Sequence, residues 1–222
     1  KTVEEIHALR PIIYIGEGTR ATETSQTTED EVYENALRAT RRTSGKLVIA
    51  DFGPRNIERL LTFYRIAQDT QRHLVIMARD AYLLDNMSLA SGQVLPMEKL
   101  PDVLIYEERR LHRNRWEDLV WEKFPDRKAT PGQIGASPGD FILCFSFWDV
   151  NELIDIAPHG GAYIYSSSEA YDEEQRMDMQ RLHNWIEHFG ITGIGLPRKE
   201  LNWGIPENER GFHASGHASG PD

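Results

Sequence analysis

The segment RGFHASGHASGPD, Arg210 to Asp222, sets His213 and His217 four residues apart among glycine, alanine and serine. A core histidine sits among large apolar neighbours, whereas Ala214, Ser215, Gly216, Ala218 and Ser219 leave the backbone open to close approach by another molecule. A His-x-x-x-His pair can bind zinc from one helical face. Here Ala-Ser-Gly between the histidines disfavours a helix, no Glu follows the first histidine, and two nitrogen ligands are too few. The remaining reading is a loop in which imidazoles and small-residue amides surround a transferred or hydrolysed group, with histidine as acid, base or charge.

A second stretch, YIYSSSEAYDEE, puts the hydroxyls of Ser166, Ser167 and Ser168 at an expected strand end just before a helix. Hydroxyls and free amides there favour an anion such as phosphate; alternatively Ser168 is an N-cap, with the acids from Glu169 to Glu174 complementing the helix dipole. Two other stretches match motifs by letter only. GEGTRA fits a dinucleotide fingerprint through Gly16, Gly18 and Ala21, but TETSQT delays the helix to about Thr28, and Asp51 lies too far along to serve a ribose. DFG at Asp51 to Gly53 lacks every other element of a kinase site. Asp51 is then either a polar residue at a strand end near a cleft or a cap for a helix opened by Pro54.

The elements that must position these residues follow from period and punctuation. Apolar runs at 11–16, 47–52, 73–78, 102–106, 141–146, 161–167 and 191–196 read as strands buried on both faces. Thr28 and Glu31 form a capping box for a helix carrying Val32, Ala36 and Ala39. Pro54 opens another with Ile57, Leu60, Leu61 and Tyr64, and a third from about Glu173 aligns Met179, Leu182, Ile186 and Phe189. Alternation of this kind predicts an α/β fold: a mostly parallel sheet with helices on both faces, Rossmann-like. ATPGQIGASPGD, 129–140, reads as a Pro/Gly loop between two halves of the sheet.

Composition sets bounds on function. The 222 residues suit one large α/β domain or a core with an insertion, and no run approaches the roughly 18 apolar residues of a membrane span. Mean hydropathy is -0.52. The single cysteine, Cys144, lies in FILCF and excludes an internal disulfide framework, which suggests a reduced compartment, the cytoplasm. A start without Met suggests a piece of a longer protein. The net charge of -10 is opposite to that of a protein gripping nucleic acid over its whole surface, yet arginines cluster at Arg38, Arg41 and Arg42 and at Arg109, Arg110, Arg113 and Arg115. Each cluster reads first as a solvated helix face.

Taken together, the strand PIIYIGEGTR followed by TTEDEV, LVIADFGPRNIERL, the strand with SSS and, late in the chain, FHASGHAS resemble, in this order, ribonuclease J and related β-CASP nucleases of the metallo-β-lactamase superfamily. The resemblance spans essentially the whole chain. It implies a zinc-dependent ribonuclease or phosphodiesterase, a hydrolase of RNA processing or decay, of which this chain is the β-CASP domain (21–208). Flanks 1–20, with motif A, and 209–222, with motif B, would belong to the β-lactamase-type domain. Glu17 would be the motif-A acid and His217 the motif-B histidine, the catalytic pair. His213, Ser215, Gly216 and Ser219 would hold phosphate, and the Ser166–Ser168 turn would face the nucleic-acid channel.

The departures matter equally. The family holds two zinc ions mainly through H-x-H-x-D-H, which does not occur here, and motif C would lie beyond Asp222. The chain alone is therefore expected to bind no zinc and to be inactive. Its expected partner is single-stranded RNA, with DNA, endonucleolytic or exonucleolytic cleavage and a homodimer left open; no membrane partner is expected. A non-catalytic nucleic-acid-binding module and an unrelated Rossmann-like nucleotide enzyme are the alternatives. The tail from about Gly211, poor in apolar area, is expected to be weakly anchored.

Overall fold

Runs such as LVIAD can be buried on both sides only inside a sheet that is covered twice. The computed structural model, which describes residues 7–10, 12, 27–53, 55–91, 94–167 and 173–213, contains that sheet. Its strands are β1 (Leu47–Asp51), β2 (His73–Met77), β3 (Val103–Tyr106), β4 (Lys128–Ala129), β5 (Phe141–Leu143), β6 (Gly161–Tyr165) and β7 (Ile191–Ile194). They lie in the order β4-β3-β2-β5-β1-β6-β7, and every pairing is parallel. β1 is central, with Val48 opposite Ile142 on one side and Ala162 on the other. The chain divides into two units, Thr27–Ala214 and Lys1–Gln26 with Ser215–Asp222; the account below concerns the first.

The two faces are separate cores. Val48, Ala50, Leu74, Ile76, Val103 and Ile105 point to one face, covered by α1 (Glu29–Arg42), α2 (Ile57–Asp69), α3 (Ala78–Ala90) and α4 (Arg115–Lys123). Leu47, Ile49, Val75, Met77 and Leu143 point to the other, under α5 (Pro131–Ala136), α6 (Leu153–Ile156) and α7 (Glu173–His188). The division follows from handedness. Right-handed crossovers that step toward β4 land on one face and those that step back toward β7 land on the opposite one. The α/β class with a parallel sheet and helices on both faces, expected from the alternation, is what the structure shows.

Several local expectations hold and several change. Thr28 Oγ1 accepts from the Glu31 amide at 3.2 Å, and Glu31 Oε2 accepts from the Thr28 amide at 2.9 Å, so the capping box opens α1. α2 starts later than Pro54: its cap is Asn56, whose Oδ1 accepts from the Arg59 amide at 3.0 Å, and not Asp51. The 129–140 stretch is not a plain loop. Thr130 caps α5, a short 3-10 turn covers Pro138–Asp140, and between them the chain crosses from edge strand β4 back to β5. The strand expected at 11–16 lies outside the described residues apart from Ile12.

Candidate functional site in a crevice at the strand ends

Around β1 the direction of the connections alternates. β2 and β1 lead into helices on one face, β5 and β6 into elements of the other. Loops that diverge in this way leave a crevice at the carboxyl ends of the strands, the usual ligand position in open α/β sheets. The crevice measures about 530 Å³ and takes a wall from each strand: Asp51 to Gly53 after β1, Arg79 after β2, Ser146 to Trp148 after β5, Tyr165 and Ser167 from β6. Gln175 and Asp178 of α7 close one side. Trp148 stands 74% exposed at the mouth, edge-on to Phe147 with ring centroids 5.1 Å apart.

Its floor is acidic. Asp51 is buried and accepts from the Tyr163 hydroxyl at 2.6 Å. Loss of water pushes its carboxyl up to about 7; the Tyr163 hydrogen bond opposes that shift and nearby Asp149 adds to it. Asp149, also buried, binds Nη2 of Arg79 through both oxygens at 2.6 Å and accepts from the Ser146 amide at 2.9 Å and hydroxyl at 2.8 Å. Asp80 behind it is likewise raised by burial, to about 6, against the pull of Arg79. The arrangement offers a carboxyl that changes charge near neutrality beneath an exposed indole.

A pH dependence follows. Asp51 binds its proton more tightly folded than unfolded, so its contribution to stability is fully present below about pH 4 and is lost as pH rises toward about 7. At about 1.4 kcal/mol for each pH unit between the two pKa values, the loss reaches roughly 4 kcal/mol. Urea unfolding of the wild type should therefore show stability falling between these pH values, and Asp51→Asn, which keeps an acceptor for Tyr163, should flatten that fall. An equally steep fall in the variant would assign the dependence to other groups, Asp80 first.

The serine turn and the histidine tail meet beside this crevice, 46 residues apart in sequence. Nδ1 of His213 hydrogen-bonds the Ser167 carbonyl, Nε2 faces the Gly195 carbonyl at 3.1 Å, and the ring lies edge-on to Tyr165 at 5.6 Å. Carbonyls only accept, so both contacts call on the ring to donate. His213 is an anchor within its own domain, which corrects its assignment as a phosphate ligand. Gly195, at φ +72, makes room: a Cβ there would sit 2.9 Å from the Tyr165 carbonyl and 3.3 Å from Phe212.

Ser166 is buried too. Its hydroxyl donates to the Phe212 carbonyl and accepts from Arg59, so it faces the interior and not a channel. Of the serine turn, Ser167 lines the crevice and Ser166 does not. The expected weak anchoring from Gly211 is corrected for Gly211 to His213. Asn35 donates to the Gly211 carbonyl at 3.0 Å, the Phe212 ring is in the core, and Arg59 Nη1 donates to the Phe212 carbonyl at 3.1 Å. Glu17, Ser168, Ser215, Gly216, His217 and Ser219 lie outside the described residues.

Arg59 is the residue that sequence reasoning missed. Fully buried, it ties the start of α1 through Glu29 (2.9 Å), the end of β6 through the Ser166 carbonyl (3.1 Å), and the tail. Its one sequence signal is an arginine set between Ile57 and Leu60 on the inward stripe of α2. In the second arginine cluster three of the four are acid-paired: Arg109 with Asp155 at 3.1 Å, Arg110 with Glu117 at 3.0 Å and Arg113 with Glu107 at 2.6 Å. Among the described residues no group of three or more His, Cys, Asp or Glu could hold a metal ion. No described helix is long and apolar enough to cross a membrane.

Neither a family model nor a curated protein matches the chain. Among solved structures it is similar to the crystal structure of a protein of unknown function from Enterococcus faecalis V583, at 12% identity and a TM-score of 0.50. The match covers 90% of this chain and 37% of that one, so this chain spans little more than a third of that protein's length. At this identity the likeness concerns the fold alone.

Proposed function

We propose that the chain is the β-CASP-like wall of a nucleic-acid cleft in a zinc-dependent phosphodiesterase, and that its crevice takes a base of single-stranded RNA. The sequence resemblance suggests the class of enzyme. The observation that carries the reading is the meeting of Ser167 and His213: the chain enters the Ala-Ser-Gly-His segment from a fixed point beside a crevice with an exposed aromatic rim.

Each described residue then has a task. Trp148 and Phe147 stack the base, which every nucleobase permits because each has a π-face. Asp51, Ser146 and Gln175 supply donors and acceptors for its edge, and Asp51 can present either a carboxylate or a carboxylic acid near neutral pH. His213 and Arg59 hold the chain at Phe212 and His213, just before the segment to which the resemblance assigns the phosphate. Zinc, bound by residues other than those described, would supply the hydroxide that attacks phosphorus. An acidic floor suits the base and not the phosphate, which assigns the two halves of a nucleotide to different parts of the site.

Base stacking contributes about 1–3 kcal/mol, so Trp148→Ala should weaken binding of a labelled, 5′-phosphorylated RNA of about 4 nucleotides by roughly 5- to 150-fold. Trp148 is exposed, so the melting temperature should not move. Fluorescence anisotropy at fixed salt reads the change; unchanged affinity would remove the base from the crevice.

A further inference from the structure

We infer that a second groove, between α1 and β7, binds the phosphate backbone of a single-stranded nucleic acid. It rests on a different observation from the crevice and takes only the class of ligand from the reading above. The groove measures about 500 Å³, and on one side its wall is the exposed edge of α1. Arg38, Arg42 and Lys46 line that wall, and Arg210 lines the other, just before the anchored tail. In a chain of net charge -10, these four exposed cations make no ion pair among the described residues, in contrast to the acid-paired arginines 109 to 113. The acid in the groove, Glu209, is held by Arg198 and by the Gly195 amide at 2.9 Å, so it does not neutralise them.

A helix-dipole role accounts for Arg41 and Arg42 in the last turn of α1. It does not account for Arg38 one turn earlier, for Lys46 beyond the helix end, or for Arg210 across the groove. Their layout points to an extended ligand. Arg38 and Arg42 are one helical turn apart, about 6 Å along the axis, and Lys46 continues the row. A single small anion draws cations to one point, whereas a row suits successive phosphates of a strand. Arginine's planar fork matches phosphate oxygens, and Ser44 adds a neutral hydroxyl along the same wall. The groove reaches Phe212, one residue from the His213 anchor, so a strand could run from it toward the crevice.

The test compares wild type, Trp148→Ala and the triple variant Arg38→Gln/Arg42→Gln/Arg210→Gln, with RNA of about 4 and about 16 nucleotides, over a range of salt. Each phosphate contact on a single strand adds about 0.7 to the slope of log K against log salt. For the longer strand the triple variant should lower that slope by about 2, leave the melting temperature unchanged, and leave binding of the shorter strand unaltered. Trp148→Ala should weaken both strands without changing the slope. An unchanged slope in the triple variant overturns the groove, and it does so whether or not Trp148→Ala acts. A lowered slope with no effect of Trp148→Ala keeps the groove and removes the crevice reading. Inorganic phosphate that competes at the groove as well as the longer strand does would reduce it to a small-anion site and overturn the inference.

Discussion

Arg59→Met unfolds in urea at a much lower midpoint than the wild type, with a loss of about 3–5 kcal/mol, the range for breaking a buried ion pair by removing one partner. Three groups lose a donor: the Ser166 carbonyl, the Phe212 carbonyl, which keeps the Ser166 hydroxyl, and the Glu29 carboxylate, which keeps the Thr62 hydroxyl. The side-chain volume is nearly kept, so the loss reports polar contacts and not a cavity. Glu29→Met added to Arg59→Met should recover part of it, because the uncompensated charge disappears while the Arg59 hydrogen bonds to the two carbonyls stay lost. The variant should also become sensitive to proteolysis near Gly211, where the tail would separate from Ser166. A loss below about 1 kcal/mol would mean that Arg59 contributes little and that the Phe212 ring and the Asn35, Ser166 and His213 hydrogen bonds hold the tail.

His217→Ala has the largest effect expected on activity. In the zinc-loaded protein that the resemblance implies, it lowers cleavage of single-stranded RNA by roughly 10²- to 10⁴-fold, the range for a positioned proton-transfer group, and leaves the zinc content unchanged. Loss of zinc in the variant would instead make His217 a ligand. Turnover equal to wild type would make it structural. The same reading requires that the 222-residue chain alone cleave nothing; metal-dependent cleavage by the purified chain, stopped by a chelator, would overturn it.

What was legible in the sequence is what local chemistry decides. Alternate residues of LVIAD face two cores, and Thr28 with Glu31 starts α1, both without help from distant parts of the chain. α3 shows little segregation of apolar residues because it follows β2 directly and buries only Ala78, Ala81 and Leu84. β4 is two residues long, too short to carry a period. The candidate site depends on meetings that no spacing reveals: Asp51 with Tyr163, 112 residues on, Arg59 with Phe212, 153 residues on, and Ser167 with His213. Small neighbours suggested an exposed His213, yet the carbonyls of Ser167 and Gly195 bury it, because Gly195 opens space that only the folded chain makes visible. Arginine is normally read as surface, which hid Arg59.

The central claim, that a base of single-stranded RNA lies against Trp148 in the crevice at the strand ends, is tested most directly by photo-crosslinking. A short 5′-phosphorylated RNA carrying 4-thiouridine is irradiated with the chain, and the adduct is located by mass spectrometry of the peptides. The account predicts an adduct within Phe147 to Asp149, competed away by unlabelled RNA and lost in Trp148→Ala. Adducts confined to other surfaces, or none at concentrations where the RNA is bound, would contradict it.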